Sequence, residues 1–148
     1  MNFIFVSPHF PNTYWNFCDR LHRNGVNVLG IGDAPFDEIP GELKHCLTEY
    51  YRVDNLGSCE EMLRAVAYFP FHYGKIDWIE SNNEYWLEMD AQLRTDFNIN
   101  TGAKNDFIER IKYKSRMKES YRAAGVPVAR HHMVSTLAAA RAFIKEVG

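Results

Sequence analysis

From Asn2 to Phe97, short apolar runs alternate with stretches whose apolar side chains recur every three to four positions, and no other feature limits the fold as strongly. The runs fall at residues 2–6 (NFIFV), 26–31 (VNVLGI), 50–53 (YYRV) and 76–79 (IDWI). Runs this short, bounded by turn residues, read as buried strands. Between them the spacing predicts helices. Asn12 can cap one that places Tyr14, Phe17, Cys18 and Leu21 on a single face, with Asn24-Gly25 ending it. Ser58 and Glu61 form a capping-box signature ahead of Met62, Leu63, Val66 and Phe69, and Pro70 ends or kinks that helix. Asn82 or Asn83 can cap a third helix, striped by Trp86, Met89, Leu93 and Phe97. Residues 34–46, punctuated by Pro and Gly, read as a loop with at most one helical turn.

Alternation of this kind predicts a parallel sheet flanked by helices. The expected fold class is α/β: a Rossmann-like parallel sheet over residues 1–100, then a helical C-terminal extension over residues 101–148. In the extension, a basic helical stretch spans residues 105–124, an extended piece spans 130–134, and a last helix spans 136–147. That last helix gathers Leu137, Ala140, Phe143, Ile144 and Val147 on one face. An apolar stripe must be covered by something, so the expectation is a chain cut at an element boundary, whose exposed stripe leads to a homodimer or to poor solubility.

A chain of 148 residues with 46% hydrophobic side chains can bury a core, which excludes a disordered or low-complexity protein. The 17 Lys and Arg nearly balance the 19 Asp and Glu, so the whole-chain charge gives no reason to bind nucleic acid or an anionic membrane. No apolar run approaches the length that spans a bilayer, and the N-terminus lacks the basic start of a signal peptide. Cys18, Cys46 and Cys59 are widely spaced and form no Cys-x-x-Cys, which predicts reduced thiols in a cytoplasmic protein.

Candidate chemistry begins at the first strand-to-helix turn. Dinucleotide binding there needs a Gly-rich loop that lets backbone approach a pyrophosphate. The turn reads Ser7-Pro8-His9-Phe10-Pro11-Asn12, without glycine, so an NAD-type oxidoreductase is disfavoured. A receiver domain fails too, because nothing acidic lies near Ser7; Asp33 and Asp54 read as turn residues. The six histidines show no metal-ligand spacing, and His131-His132 in an extended segment point to opposite faces. Ser7 and His9 share the rim where open α/β sheets take ligands. From residues alone, the reading stops at a small-ligand-binding α/β domain without an assigned reaction.

Two further stretches carry a family resemblance. Ile76-Asp77-Trp78-Ile79-Glu80-Ser81-Asn82-Asn83-Glu84, then Asp90-Ala91-Gln92-Leu93-Arg94 and Phe97-Asn98-Ile99, resembles the segment closing the N-terminal domain of ATP-grasp enzymes. Lys114-Ser115-Arg116-Met117-Lys118, running on to Ala124-Gly125-Val126-Pro127-Val128, is similar to the element that opens their grasp module. Gly125 follows Lys114 by eleven residues, the spacing of biotin carboxylases and glycinamide ribonucleotide synthetases. The order of elements is similar to a pre-ATP-grasp domain, residues 1–100, followed by the truncated start of an ATP-grasp module, residues 101–148. The flavour is that of the carbamoyl phosphate synthetase large chain.

The resemblance implies a ligase that joins a small-molecule carboxylate to an amine or ammonia through an acyl phosphate, using ATP and Mg²⁺ in the full-length enzyme. It implies that Lys114 contacts the nucleotide phosphates and that Ser7, His9 and Glu84 face the substrate from the rim. Two departures bear on this. Tyr113 stands where the family carries an acidic residue before its first lysine. The second lysine, the Gly-rich loop and the Mg²⁺-binding Glu and Asn of the family would all lie beyond Gly148. The fragment is therefore expected to be catalytically incomplete and to bind neither ATP nor Mg²⁺ tightly. The rival expectation is a free-standing Rossmann-like domain that binds a small ligand or a partner without catalysis.

Overall fold

The computed structural model describes residues 1–148, which separate into two compact units, Met1–Ile108 and Glu109–Gly148. In the first unit, strands β1 (Asn2–Val6), β2 (Asn27–Gly32), β3 (Glu49–Arg52) and β4 (Trp78–Glu80) form one sheet, in the order β3-β2-β1-β4. Every pairing is parallel: Ile4 sits opposite Leu29 and Ile79, and Leu29 opposite Glu49. The chain is thus α/β, a parallel sheet flanked by helices and followed by a helical C-terminal part.

Strand alternation divides the core. Ile4 and Val6 of β1, with Leu29 and Ile31 of β2, face α3 (Cys59–Tyr73) and α4 (Leu87–Asp96) and meet Met62, Val66, Phe69 and Leu93. Phe3, Phe5 and Val28 face the other way, toward α1 (Trp15–Arg23) and α2 (Gly41–Cys46), and meet Cys18, Leu43 and Cys46. A sheet covered on both faces reads as continuous apolar runs, which is why β1 is buried at all five positions.

Several element boundaries differ from the sequence expectation, each for a local reason. Helix α1 opens at Trp15 with no side-chain cap; a backbone turn from Pro11 to Tyr14 takes up the residues around Asn12. Residues 41–46 form α2, held because Leu43 and Cys46 bury themselves beneath the sheet. Helix α3 continues through Pro70 to Tyr73. The proline removes one N–H donor, but its own carbonyl still accepts from Gly74, and Phe69 and Tyr73 pack on the core. Helix α4 starts at Leu87, because Asn83 uses its side-chain oxygen on the Tyr85 N–H instead.

The long basic helix expected over residues 105–124 is broken. Ile108 is buried in the first unit, and Asn105 is tied there by the Thr95 hydroxyl and the Gln92 amide. Helices α5 (Glu109–Lys112) and α6 (Lys114–Ala123) belong to the second unit and are separated by Tyr113, whose backbone is extended. Helix α7 (Leu137–Val147) is capped by the Thr136 hydroxyl, which accepts from the Ala139 N–H. No helix is long and apolar enough to cross a membrane.

Candidate functional site

In an open parallel sheet, ligands are taken at the carboxyl ends of the strands, where the strand order reverses. Here that point lies between β1 and β4, since the chain proceeds from β1 to β2 and β3 on one side and returns to β4 on the other. Two segments border it, residues 7–11 after β1 and residues 81–86 after β4.

Both segments leave their strands in the same unusual way. Ser7 has φ 55° and Asn82 has φ 54°, left-handed values that are uncommon without glycine. Extending the β1–β4 register past Phe5 and Glu80 brings these two residues opposite one another. Left-handed non-glycine residues concentrate at binding and catalytic sites, where surrounding contacts hold them. Ser7 is held by its N–H, which donates to the Ile31 carbonyl at 2.8 Å. Asn82 is held by its carbonyl, which accepts from the Tyr14 hydroxyl at 2.6 Å and so ties the second loop to the first.

His9 lies in the first loop, its side chain 16% exposed, with Nε2 at 3.0 Å from the Asp33 carboxylate. Its Nδ1 is buried and has no hydrogen-bond partner. The ring stands against Gly32, where a Cβ would come within 2.9 Å of Nδ1 and 2.3 Å of the Tyr50 hydroxyl oxygen. That hydroxyl donates to the Ala34 carbonyl, and burial pushes it up to about 12, with Asp33 adding to the effect. Asp33 thus does more than turn the chain: it anchors the loop that carries His9.

The second loop rests on charged groups, Glu80, Asp90 and Arg94, that the sequence offered only as part of a family resemblance and to which it gave no role. Arg94 is buried; its guanidinium donates to the Ile79 and Ala103 carbonyls and pairs with Glu80 at 2.8 Å. Asp90, one turn earlier on α4, accepts from the Ser81 hydroxyl at 2.6 Å and from the Ser81 N–H at 3.1 Å. Burial pushes the Asp90 carboxyl up to about 7; Glu80 pushes the same way, while Ser81 and Arg94 oppose. A signal for both was present, since Asp90 and Arg94 interrupt the apolar stripe of Trp86, Leu93 and Phe97 at helical spacing.

Of the residues singled out from sequence, Ser7 and His9 therefore share one loop, and Glu84 stands exposed on the loop after β4. Lys114 is the first residue of α6, in the second unit. At the β3 end of the rim, an open cleft of about 420 Å³ is lined by Tyr51, Arg52, Val53, Asp54, Glu61 and Arg64. There the Asp54 and Asn55 N–H groups donate to the Glu61 carboxylate and hold it below its usual range. No three His, Cys, Asp or Glu side chains come together to hold a metal ion.

No protein-family model matches the chain, and no curated protein matches it. Among solved structures it is similar to an L-amino acid ligase from Bacillus licheniformis, with a TM-score of 0.68 at 17% identity. The likeness is one of fold. It covers 93% of this chain and 33% of the ligase, so the chain spans about a third of that protein's length.

Proposed function

We propose that the chain is the N-terminal portion of an ATP-dependent carboxylate–amine (or ammonia) ligase of carbamoyl phosphate synthetase-like type. One observation carries the reading: the likeness to the L-amino acid ligase extends over 93% of the chain. At that coverage the likeness reaches into both the sheet unit and the helical unit that carries Lys114.

In this reading a substrate carboxylate oxygen attacks the γ-phosphorus of ATP and ADP leaves. The amine then attacks the acyl carbon of the acyl phosphate and orthophosphate leaves. Such chemistry runs on positioning and on neutralising phosphate charge. Lys114 supplies an ammonium point charge to the nucleotide phosphates, a role that suits a lysine at the first turn of a helix. Ser7, His9 and Glu84 form the substrate-side wall, with His9 oriented by Asp33. Mg²⁺ would neutralise phosphate charge, but these residues offer it no ligand set. The remaining phosphate and metal ligands lie outside these residues in this reading, and the fragment alone is silent.

The test uses the whole protein with ATP, Mg²⁺ and a panel of amino acids, hydroxy acids and bicarbonate as acceptors. Expected is one ADP and one orthophosphate per bond formed, with Lys114→Ala lowering turnover by about tenfold or more. Absence of acceptor-dependent ADP across the panel overturns the ligase reading. For the 148-residue chain, saturable ATP·Mg²⁺ binding at millimolar concentration or tighter would overturn its incompleteness.

A further inference from the structure

Asp90 and Arg94 are the two buried charged side chains of the molecule, one turn apart on α4, yet their surroundings differ. Arg94 has its donors occupied by two carbonyls and the Glu80 carboxylate. Asp90 is half satisfied: Oδ2 takes both bonds from Ser81, while Oδ1 is buried without any partner. An ionised carboxylate with one orphaned oxygen is costly inside a protein.

The Ser81 hydroxyl joins this acid to the rim. It has one proton, which it gives to Asp90 Oδ2 at 2.6 Å, and its oxygen accepts from the Asn83 N–H at 3.2 Å. The Asn83 carbonyl lies 3.3 Å from the same hydroxyl. If Asp90 gains a proton, only Oδ2 has an acceptor in reach, namely the Ser81 oxygen. The Asp90–Ser81 bond then reverses its direction, and the hydroxyl proton turns to the Asn83 carbonyl. One proton on a buried acid thus exchanges the hydrogen bonds of the turn that holds Asn82 at its left-handed φ.

We propose that Asp90 is a positioning residue whose protonation state sets the conformation of residues 81–83, the β4 side of the rim. The charged groups acting on Asp90 are Glu80 from β4 and Arg94 from its own helix. Helix α3, which shares the core with α4, offers Met62, Ala65, Val66 and Phe69. Burial raises the carboxyl above its ordinary range, which moves the exchange between the two arrangements toward neutral pH. The inference concerns the free chain and needs no nucleotide, so it stands or falls apart from the ligase reading.

The test is carboxyl-carbon and backbone-amide NMR on the labelled chain between pH 5 and pH 8.5. Expected is an Asp90 carboxyl that titrates well above the usual Asp range. The amides of Ser81, Asn82 and Asn83 should shift with the same midpoint, while the Ser7 amide, bonded to Ile31, stays flat. Asp90→Asn should remove the shared titration. Should that variant fail to fold, Ser81→Ala keeps the acid and removes the relay: the carboxyl midpoint rises and the Asn83 amide stops following it. A carboxyl midpoint near that of exposed Asp overturns the proposal. So does a high midpoint that the three amides ignore, because Asp90 would then be a buried acid with no hold on the rim.

Discussion

The two units of the chain are built on opposite terms. Residues 1–108 contain every buried side chain of the molecule, whereas no residue from 109 to 148 is buried. Charge divides along the same line: eight Lys and Arg against sixteen Asp and Glu in the first unit, nine against three in the second. A near-neutral whole hides an acidic part and a basic part. Helices as short as α6 and α7 are marginal on their own, and in the second unit Leu137 and Ile144 are 67% and 63% exposed. Burial of apolar area is the main stabilising term in folding, so the sheet unit carries the stability and the helical unit presents surface.

Two phenylalanines make that contrast measurable. Phe69 is fully buried in the core shared by α3 and α4, and Phe69→Ala should cost about 3–5 kcal/mol. Phe143 is part-exposed, its ring stacked on His132, and Phe143→Ala should cost under about 1 kcal/mol. Urea unfolding followed by tryptophan fluorescence suits the comparison, because Trp15, Trp78 and Trp86 all lie in the first unit. Equal losses of stability would erase the distinction between the units.

The next effect belongs to the first unit alone and depends on pH. Below about pH 4, Asp90 is protonated in both the folded and the unfolded chain. Between its ordinary value of 3.8 and its raised value of about 7, the folded chain keeps a proton that the unfolded chain has lost. Stability from this group therefore falls as pH climbs through that window, and the loss is complete above about pH 7. Glu61, held low by backbone N–H groups, works in the opposite sense at lower pH. The difference in urea midpoint between the parent chain and Asp90→Asn isolates the first effect; a difference that is flat from pH 4 to pH 8 contradicts it.

Close packing at the rim sets the third prediction. Gly32→Ala would place its methyl against the Tyr50 hydroxyl and His9 Nδ1, and should cost about 1–3 kcal/mol. Adding Tyr50→Phe removes the closer of the two obstacles and should recover part of the loss. Full additivity of the two substitutions would show that the clash is not what destabilises.

These effects also mark how far the sequence could be read. All four strands were legible, since a buried parallel strand announces itself by a run of apolar residues between turn residues, as residues 2–6 do. Helix α2 was not, because six residues around Leu43 and Cys46 are too few to show a period. The break at Tyr113 was also hidden, because nothing in the basic stretch around it marks the one extended residue between α5 and α6. At the rim, Ser7 and His9 could be placed from topology alone. Their supports could not, for Asp33 meets His9 from 24 positions away, and Tyr14 meets Asn82 from 68. Asp90 and Arg94 were within reach, because they stand at helical spacing within the apolar stripe of Trp86, Leu93 and Phe97.

The smallest effect separates the units most cleanly, because the same chemistry occurs in both. Ser58 caps α3 by accepting from the Glu61 N–H at 3.3 Å, and Thr136 caps α7 by accepting from the Ala139 N–H at 3.1 Å. Replacing such a cap by alanine costs a helix about 1 kcal/mol wherever it stands. In α3 that helix is part of the core, so Ser58→Ala should lower the urea midpoint of the whole sheet unit. In α7 the same loss has nothing buried to act upon. Thr136→Ala should leave the tryptophan-monitored midpoint unchanged and appear only as faster hydrogen exchange at the α7 amides. A shift of the global midpoint by Thr136→Ala would mean that α7 unfolds together with the sheet, and that its exposed side chains contribute to the stability of the whole.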